Sequence, residues 1–252
     1  MTDDKGDAED MSRRELVKIG LAIGAAGVAT ATGITLLSPL LLGPRPRDES
    51  LEQIRYTRFP SDQWWNDQEE EPIRVSDFQE WQGATGVWRA VLSDGKPVPA
   101  TGFPVLVIRV KRDDSVFVAP APEEVSLPAG FGLYYDDPAR DIRIVAVYDR
   151  CGHLCCYPGW QVVQDPPPSR DYVSDAPTYR VYGLDPIYCV CHGSQYDPMV
   201  LVTDVNPRNG VTYVGPSRVH GPSSRAIPII PLKAVDDILV GGMPDPRWYQ
   251  YC

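Results

Sequence analysis

Hydrophobic and polar positions divide the chain sharply at about residue 43. Residues 1–18 are polar, and Ile19 to Leu42 then run for 24 residues without a charged side chain. At 1.5 Å per residue that run makes roughly 36 Å of helix, against a hydrocarbon core of about 30 Å. One membrane-spanning helix is therefore predicted over 19–42. Ala29-Thr30-Ala31 offers a small-residue cleavage site, yet Leu36, Leu37, Leu40, Leu41 and Leu42 continue the run beyond it, which favours a retained anchor over a cleaved signal. Residues 43–58 read as a linker, stiff at Pro44 and Pro46 and polar afterwards. Beyond it, Val105–Val110, Val116–Val118, Ile142–Val147 and Val211–Val214 are rich in β-branched residues and are separated by Pro, Gly and Asp clusters. That pattern predicts an antiparallel, all-β domain over 59–252. The Trp-rich, charged stretch 51–82 shows neither a strand nor a helix period and receives no assignment.

Composition narrows the function classes. With 26 Pro and 21 Gly in 252 residues, a helical bundle is disfavoured. A formal charge of −10 leaves no basic stripe to neutralise phosphates, so nucleic acid is excluded as a partner. Around the span the positive-inside count is tied, with Lys5, Arg13, Arg14 and Lys18 before it and Arg45, Arg47, Arg55 and Arg58 after it. Ser12-Arg13-Arg14-Glu15-Leu16-Val17-Lys18 breaks the tie, because it resembles a twin-arginine export signal. The resemblance implies a cytoplasmic tail (1–18), a single pass of the cytoplasmic membrane, and a domain exported already folded to the extracytoplasmic side.

Candidate chemistry is concentrated in two short clusters, Cys151-Gly152-His153-Leu154-Cys155-Cys156 and Cys189-Val190-Cys191-His192-Gly193-Ser194-Gln195-Tyr196-Asp197. Each supplies a thiolate and an imidazole within three positions. A Cys2His2 zinc site is one reading, but zinc fingers pair Cys with Cys and His with His at close spacing, and zinc leaves the additional Cys of each loop unexplained. The other reading is a [2Fe–2S] cluster with two Cys on one iron and two His on the other.

Cys-x-His-Leu-x-Cys followed by Cys-x-Cys-His-Gly-Ser-x-Tyr resembles the Rieske iron–sulfur subunit of cytochrome bc/b6f-type complexes. The resemblance implies a Rieske-type antiparallel β-sandwich with a cluster-binding subdomain, its loops lying within 149–225. It assigns Cys151 and Cys189 to the inner iron and His153 and His192 to the outer, solvent-facing iron. Cys156 and Cys191 correspond to the disulfide that clamps the two loops together. His220-Gly221-Pro222-Ser223-Ser224 resembles the family's Gly-Pro-rich loop, which covers a third side of the cluster. Three departures stand out. The gap between His153 and Cys189 holds 35 residues, more than the family spacing, and Asp165–Asp171 within it reads as a surface excursion. Val190 occupies a usual Pro position, and Cys155 a usual Gly position. Cys155 and the terminal Cys252 are then left either as a second disulfide or as two free thiols.

Neutral imidazoles in place of two thiolates make the cluster less negative and raise its potential; such centres as a class span roughly −150 to +300 mV, against about −400 mV for plant-type ferredoxins. Ser194 and Tyr196 fall where the high-potential members carry hydroxyls that donate to cluster sulfur and to the first Cys sulfur. By the same resemblance, His153 and His192 meet the quinol and couple electron uptake to proton uptake, and Leu154 lines that contact. The implied partners are a cytochrome b-type membrane subunit, quinol, and a cytochrome or copper-protein acceptor. The chain would thus be the electron-transfer subunit of a quinol–cytochrome c reductase type complex. Two alternatives share the cluster: an arsenite-oxidase-like small subunit, and an oxygenase-type Rieske ferredoxin. The ferredoxin is disfavoured by the anchor and the export signal, and because only His220 remains to build a mononuclear iron site.

Overall fold

The computed structural model describes residues 52–121, 124–162 and 176–252. The predicted tail, span and most of the linker lie outside them, as does the Asp165–Asp171 excursion. Among the described residues no helix is long and apolar enough to cross a membrane.

The described chain is mostly antiparallel β-sheet. A five-stranded sheet runs in the order β1 (Ile54–Tyr56), β2 (Gly83–Trp88), β5 (Phe103–Val110), β7 (Ile142–Tyr148), β6 (Tyr135–Asp137). A four-stranded sheet has the order β11 (Thr212–His220), β10 (Gln195–Val205), β9 (Ile187–Tyr188), β8 (Gly159–Trp160). Two hairpins complete it, β3–β4 (Leu92–Ser93, Lys96–Pro97) and β12–β13 (Leu232–Val235, Ile238–Gly241). The only α-helical turn among the described residues is Pro177–Arg180.

Two of the sequence-predicted strands sit at the centre of the first sheet. β5 and β7 pair from Val105 opposite Tyr148 to Val110 opposite Arg143. β7 is buried at every position, which explains its unbroken apolar run: both faces are covered, so no alternation is needed. Its one charge, Arg143, donates to Asp114 and Asp136 at 2.8 and 2.9 Å and lies over the rings of Phe117 and Tyr134. Apolar residues from both sheets join one continuous core. The segment Ala226–Ile230 links the sheets through backbone bonds, to Tyr148 and Ala146 of β7 on one side and to Val214 of β11 on the other.

Three expectations change. β1 pairs with β2 from within the stretch read as linker, with Ile54 and Tyr56 buried, so the folded unit begins before residue 59. Val116–Val118 is not a strand, because the amides of Val116 and Phe117 both turn back to the Asp113 carbonyl. The unassigned stretch 51–82 supplies core residues (Trp65, Ile73, Val75, Phe78) from turns and loops, held partly by the indole N–H of Trp64 on Gly83 and that of Trp65 on Thr57.

Candidate metal centre

The two Cys–His loops have the same backbone. In the first, which follows β7, the Cys151 N–H donates to the Cys156 carbonyl at 2.8 Å and the Cys155 N–H to the Cys151 carbonyl at 3.0 Å. In the second, between β9 and β10, the Cys189 N–H donates to the Ser194 carbonyl at 2.8 Å and the Gly193 N–H to the Cys189 carbonyl at 2.9 Å. Both turns need a left-handed residue four positions after the first Cys: Gly193 has φ +77° and Cys155 has φ +61°. Gly193 adopts that region freely, whereas a residue with a Cβ does so at a cost of about 1–3 kcal/mol. Cys155 therefore occupies a glycine position.

These loops bring the predicted ligands together. Cys151 and Cys189 are buried and carry free thiols, while the other four Cys form the disulfides Cys156–Cys191 and Cys155–Cys252. The His153 and His192 rings meet edge to face with centroids 4.8 Å apart. His192 is exposed and His153 half-buried, so the imidazoles form the outer rim and the thiols the floor. The sulfurs of Cys156, Cys189 and Cys191 also lie within 4.8 Å of one another. Two of those sulfurs are joined in a disulfide, so this triplet offers one thiolate and not three.

Donors converge on the floor. The Tyr196 hydroxyl is in hydrogen-bond contact with the Cys151 sulfur at 3.2 Å and accepts the Gly152 N–H at 3.0 Å. The His153 N–H points at the same sulfur at 3.5 Å. The Cys189 thiol, the Tyr196 hydroxyl, the His153 N–H and the Ser194 hydroxyl together outweigh burial and hold the Cys151 thiol below its ordinary value. Cys189 is pushed up, first by that same contact with Cys151 and then by burial. Burial, reinforced by the Cys151 charge, raises Tyr196 and keeps its hydroxyl a donor. Burial pushes the carboxyl of Asp149, two residues before Cys151, up to about 8.

The loop Gly221–Ser224 closes a third side. Gly221, at φ +85°, lies against the second loop so closely that a Cβ there would fall 2.5 Å from the Gly193 carbonyl oxygen. The Ser223 N–H donates to the Ser194 hydroxyl oxygen at 3.0 Å. Leu154, next to His153, and Val190, two residues before His192, are each 62% exposed.

This donor set fits a two-metal group with two thiolates at one end and two imidazoles at the other. His153 Nδ1 is buried without a hydrogen-bond partner, the condition expected of a nitrogen that serves as a ligand. Sequence reasoning placed Ser223 only as part of the third loop, without its bond to Ser194, and did not find Tyr251 or Arg150. The Tyr251 hydroxyl donates to the Arg150 carbonyl at 2.6 Å across a separation of 101 residues, and no spacing pattern signals such a pair. No family model matches this chain, and no curated protein matches it.

Proposed function

We propose that this chain is a Rieske-type [2Fe–2S] electron-transfer subunit, held to the cytoplasmic membrane by residues 19–42 and working in a quinol-oxidising complex. The observation that carries the reading is the pair of like-folded loops, with two buried free thiols beneath two imidazoles and a disulfide joining the loops. A [2Fe–2S] group bound there supplies a one-electron redox centre of raised potential.

The remaining work falls to the protein's own side chains. Cys151 and Cys189 would hold one iron of such a group, and His153, through Nδ1, and His192 would hold the other. Burial of the thiols excludes water from the sulfur end, and Tyr196 and Ser194 direct hydroxyls toward the Cys151 sulfur. With Nδ1 committed, the Nε2 nitrogen of the half-buried His153 is left to accept a hydrogen bond, and then a proton, from a quinol hydroxyl. Leu154, beside it and exposed, offers the quinol ring an apolar contact. A cytochrome b-type subunit would complete the quinol pocket, and a cytochrome or copper protein would receive the electron.

Iron and acid-labile sulfide analysis tests the reading, together with the visible spectrum. The expected result is a coloured protein with about two irons and two sulfides per chain, lost in Cys151→Ser. A colourless chain carrying one zinc would overturn it.

A further inference from the structure

The last two residues of the chain hold the first Cys–His loop at both of its ends. At the loop's entry, the Tyr251 hydroxyl donates to the carbonyl of Arg150, the residue immediately before Cys151. At its exit, Cys252 is joined to Cys155 by a disulfide. The Arg150 guanidinium adds a third tie, donating to the Cys155 carbonyl at 3.0 Å from beneath the Tyr157 ring, 3.9 Å away. The tail can bear this load because it is anchored. Trp248, Tyr249 and Tyr251 are buried, the Tyr249 hydroxyl donates to the Ile229 carbonyl at 2.9 Å, and Tyr148 packs edge-on against both tyrosines. The Arg225 guanidinium covers the Tyr251 ring from the side of the third loop.

The two loops differ in how the left-handed turn is secured. In the second loop a glycine adopts it without steric cost. In the first a cysteine stands there, and the same cysteine is tied to the chain terminus. From this juxtaposition we infer that Tyr251 and Cys252 form a positioning clamp for the first loop, fixing the backbone that presents Cys151 and His153 independently of the Cys156–Cys191 disulfide. These are positioning residues, because their bonds are to the Arg150 carbonyl and to Cys155 and not to a proposed ligand. Part of the inference, the consequence for the metal centre, rests on the proposed cluster. The mechanical part does not.

The test uses the full chain with Cys252→Ser and, separately, Tyr251→Phe, which removes the hydroxyl but keeps the ring and the disulfide. Amide exchange of residues 150–156 is followed by mass spectrometry alongside that of β5, and the EPR line shape of the reduced protein is recorded. The clamp predicts that Cys252→Ser speeds exchange in the loop at least about tenfold more than in β5, because a local opening is released on top of the general loss of stability. Tyr251→Phe should do the same to a smaller degree. EPR lines should broaden in both variants as the ligand geometry becomes heterogeneous. Equal acceleration in the loop and in β5 would mean a general loss of stability and overturn the clamp, as would unchanged loop exchange in both variants. If Cys252→Ser does not fold, Tyr251→Phe alone decides by the same criterion. A wild-type chain without an EPR signal would defeat the cluster reading, while the exchange comparison would still decide the clamp.

Discussion

The Tyr196 hydroxyl and the Cys151 sulfur are 3.2 Å apart, although 45 residues separate them in the chain. A strand, β10, carries the tyrosine to a loop that follows a strand of the other sheet. With the proposed cluster bound, a donor at this distance would stabilise whichever state bears more negative charge, which would be the reduced one. A charge-assisted bond favouring the reduced state by ~1 kcal/mol shifts a one-electron couple by about 43 mV. Tyr196→Phe and Ser194→Ala are each expected to lower the midpoint potential by tens of millivolts. Each also strands a buried amide, that of Gly152 or of Ser223, so stability should fall by roughly 1–3 kcal/mol as well. Redox titration of both variants checks this. Unchanged potentials in both would remove these hydroxyls from the tuning of the site.

The disulfide pattern predicts a thiol count. Denatured without reductant and with metal chelated, the protein should expose two reactive thiols, Cys151 and Cys189, and all six after reduction. Four thiols before reduction would contradict the Cys155–Cys252 pair. That pair closes a separation of 97 residues. Its removal by Cys252→Ser should cost about 2–4 kcal/mol in a denaturant titration.

Acid sensitivity follows from Arg140, which binds Asp137 at 2.6 Å and Asp237 at 2.7 Å. The Arg140 bond is the main cause that lowers Asp137. Burial opposes ionisation of Asp237, but its bonds from Arg140 and Ser76 win and lower it too. Both carboxyls therefore bind protons less readily in the folded chain than in the unfolded one. Their contribution is present above the unfolded carboxylate value of about 4 and is lost as pH falls through the folded values. The urea midpoint should drop below about pH 4, and the deficit of Asp237→Asn at pH 7 should shrink as the pH falls. A deficit that persists undiminished at low pH would show that the ion pair is not its source.

How much of this was legible depended on how local each feature is. β5 and β7 announce themselves because consecutive β-branched residues suit a strand covered on both faces. Residues 51–82 do not, since Trp64, Trp65 and Phe78 enter the core from turns whose register is set by side-chain bonds to distant carbonyls. Val116–Val118 has strand composition, but the Asp113 carbonyl captures the amides of Val116 and Phe117 in a turn, leaving only Val118 to bridge to β10. At the site, the Cys and His of each loop lie within three positions of one another and could be read directly. Cys155 could not be resolved from its neighbourhood alone: its partner lies at the far end of the chain, and only the backbone reveals that it stands in a left-handed turn. The contacts of Ser223 and Tyr251 are products of the assembled sheets and loops, with no periodicity to betray them.

The central claim is tested most directly by an EPR-monitored redox titration of the full chain across pH. The account predicts a rhombic [2Fe–2S] signal in the reduced protein, with a positive midpoint potential that falls as pH rises because the imidazoles release protons on oxidation. A protein with no such signal, or one whose potential is clearly negative and indifferent to pH, would contradict it.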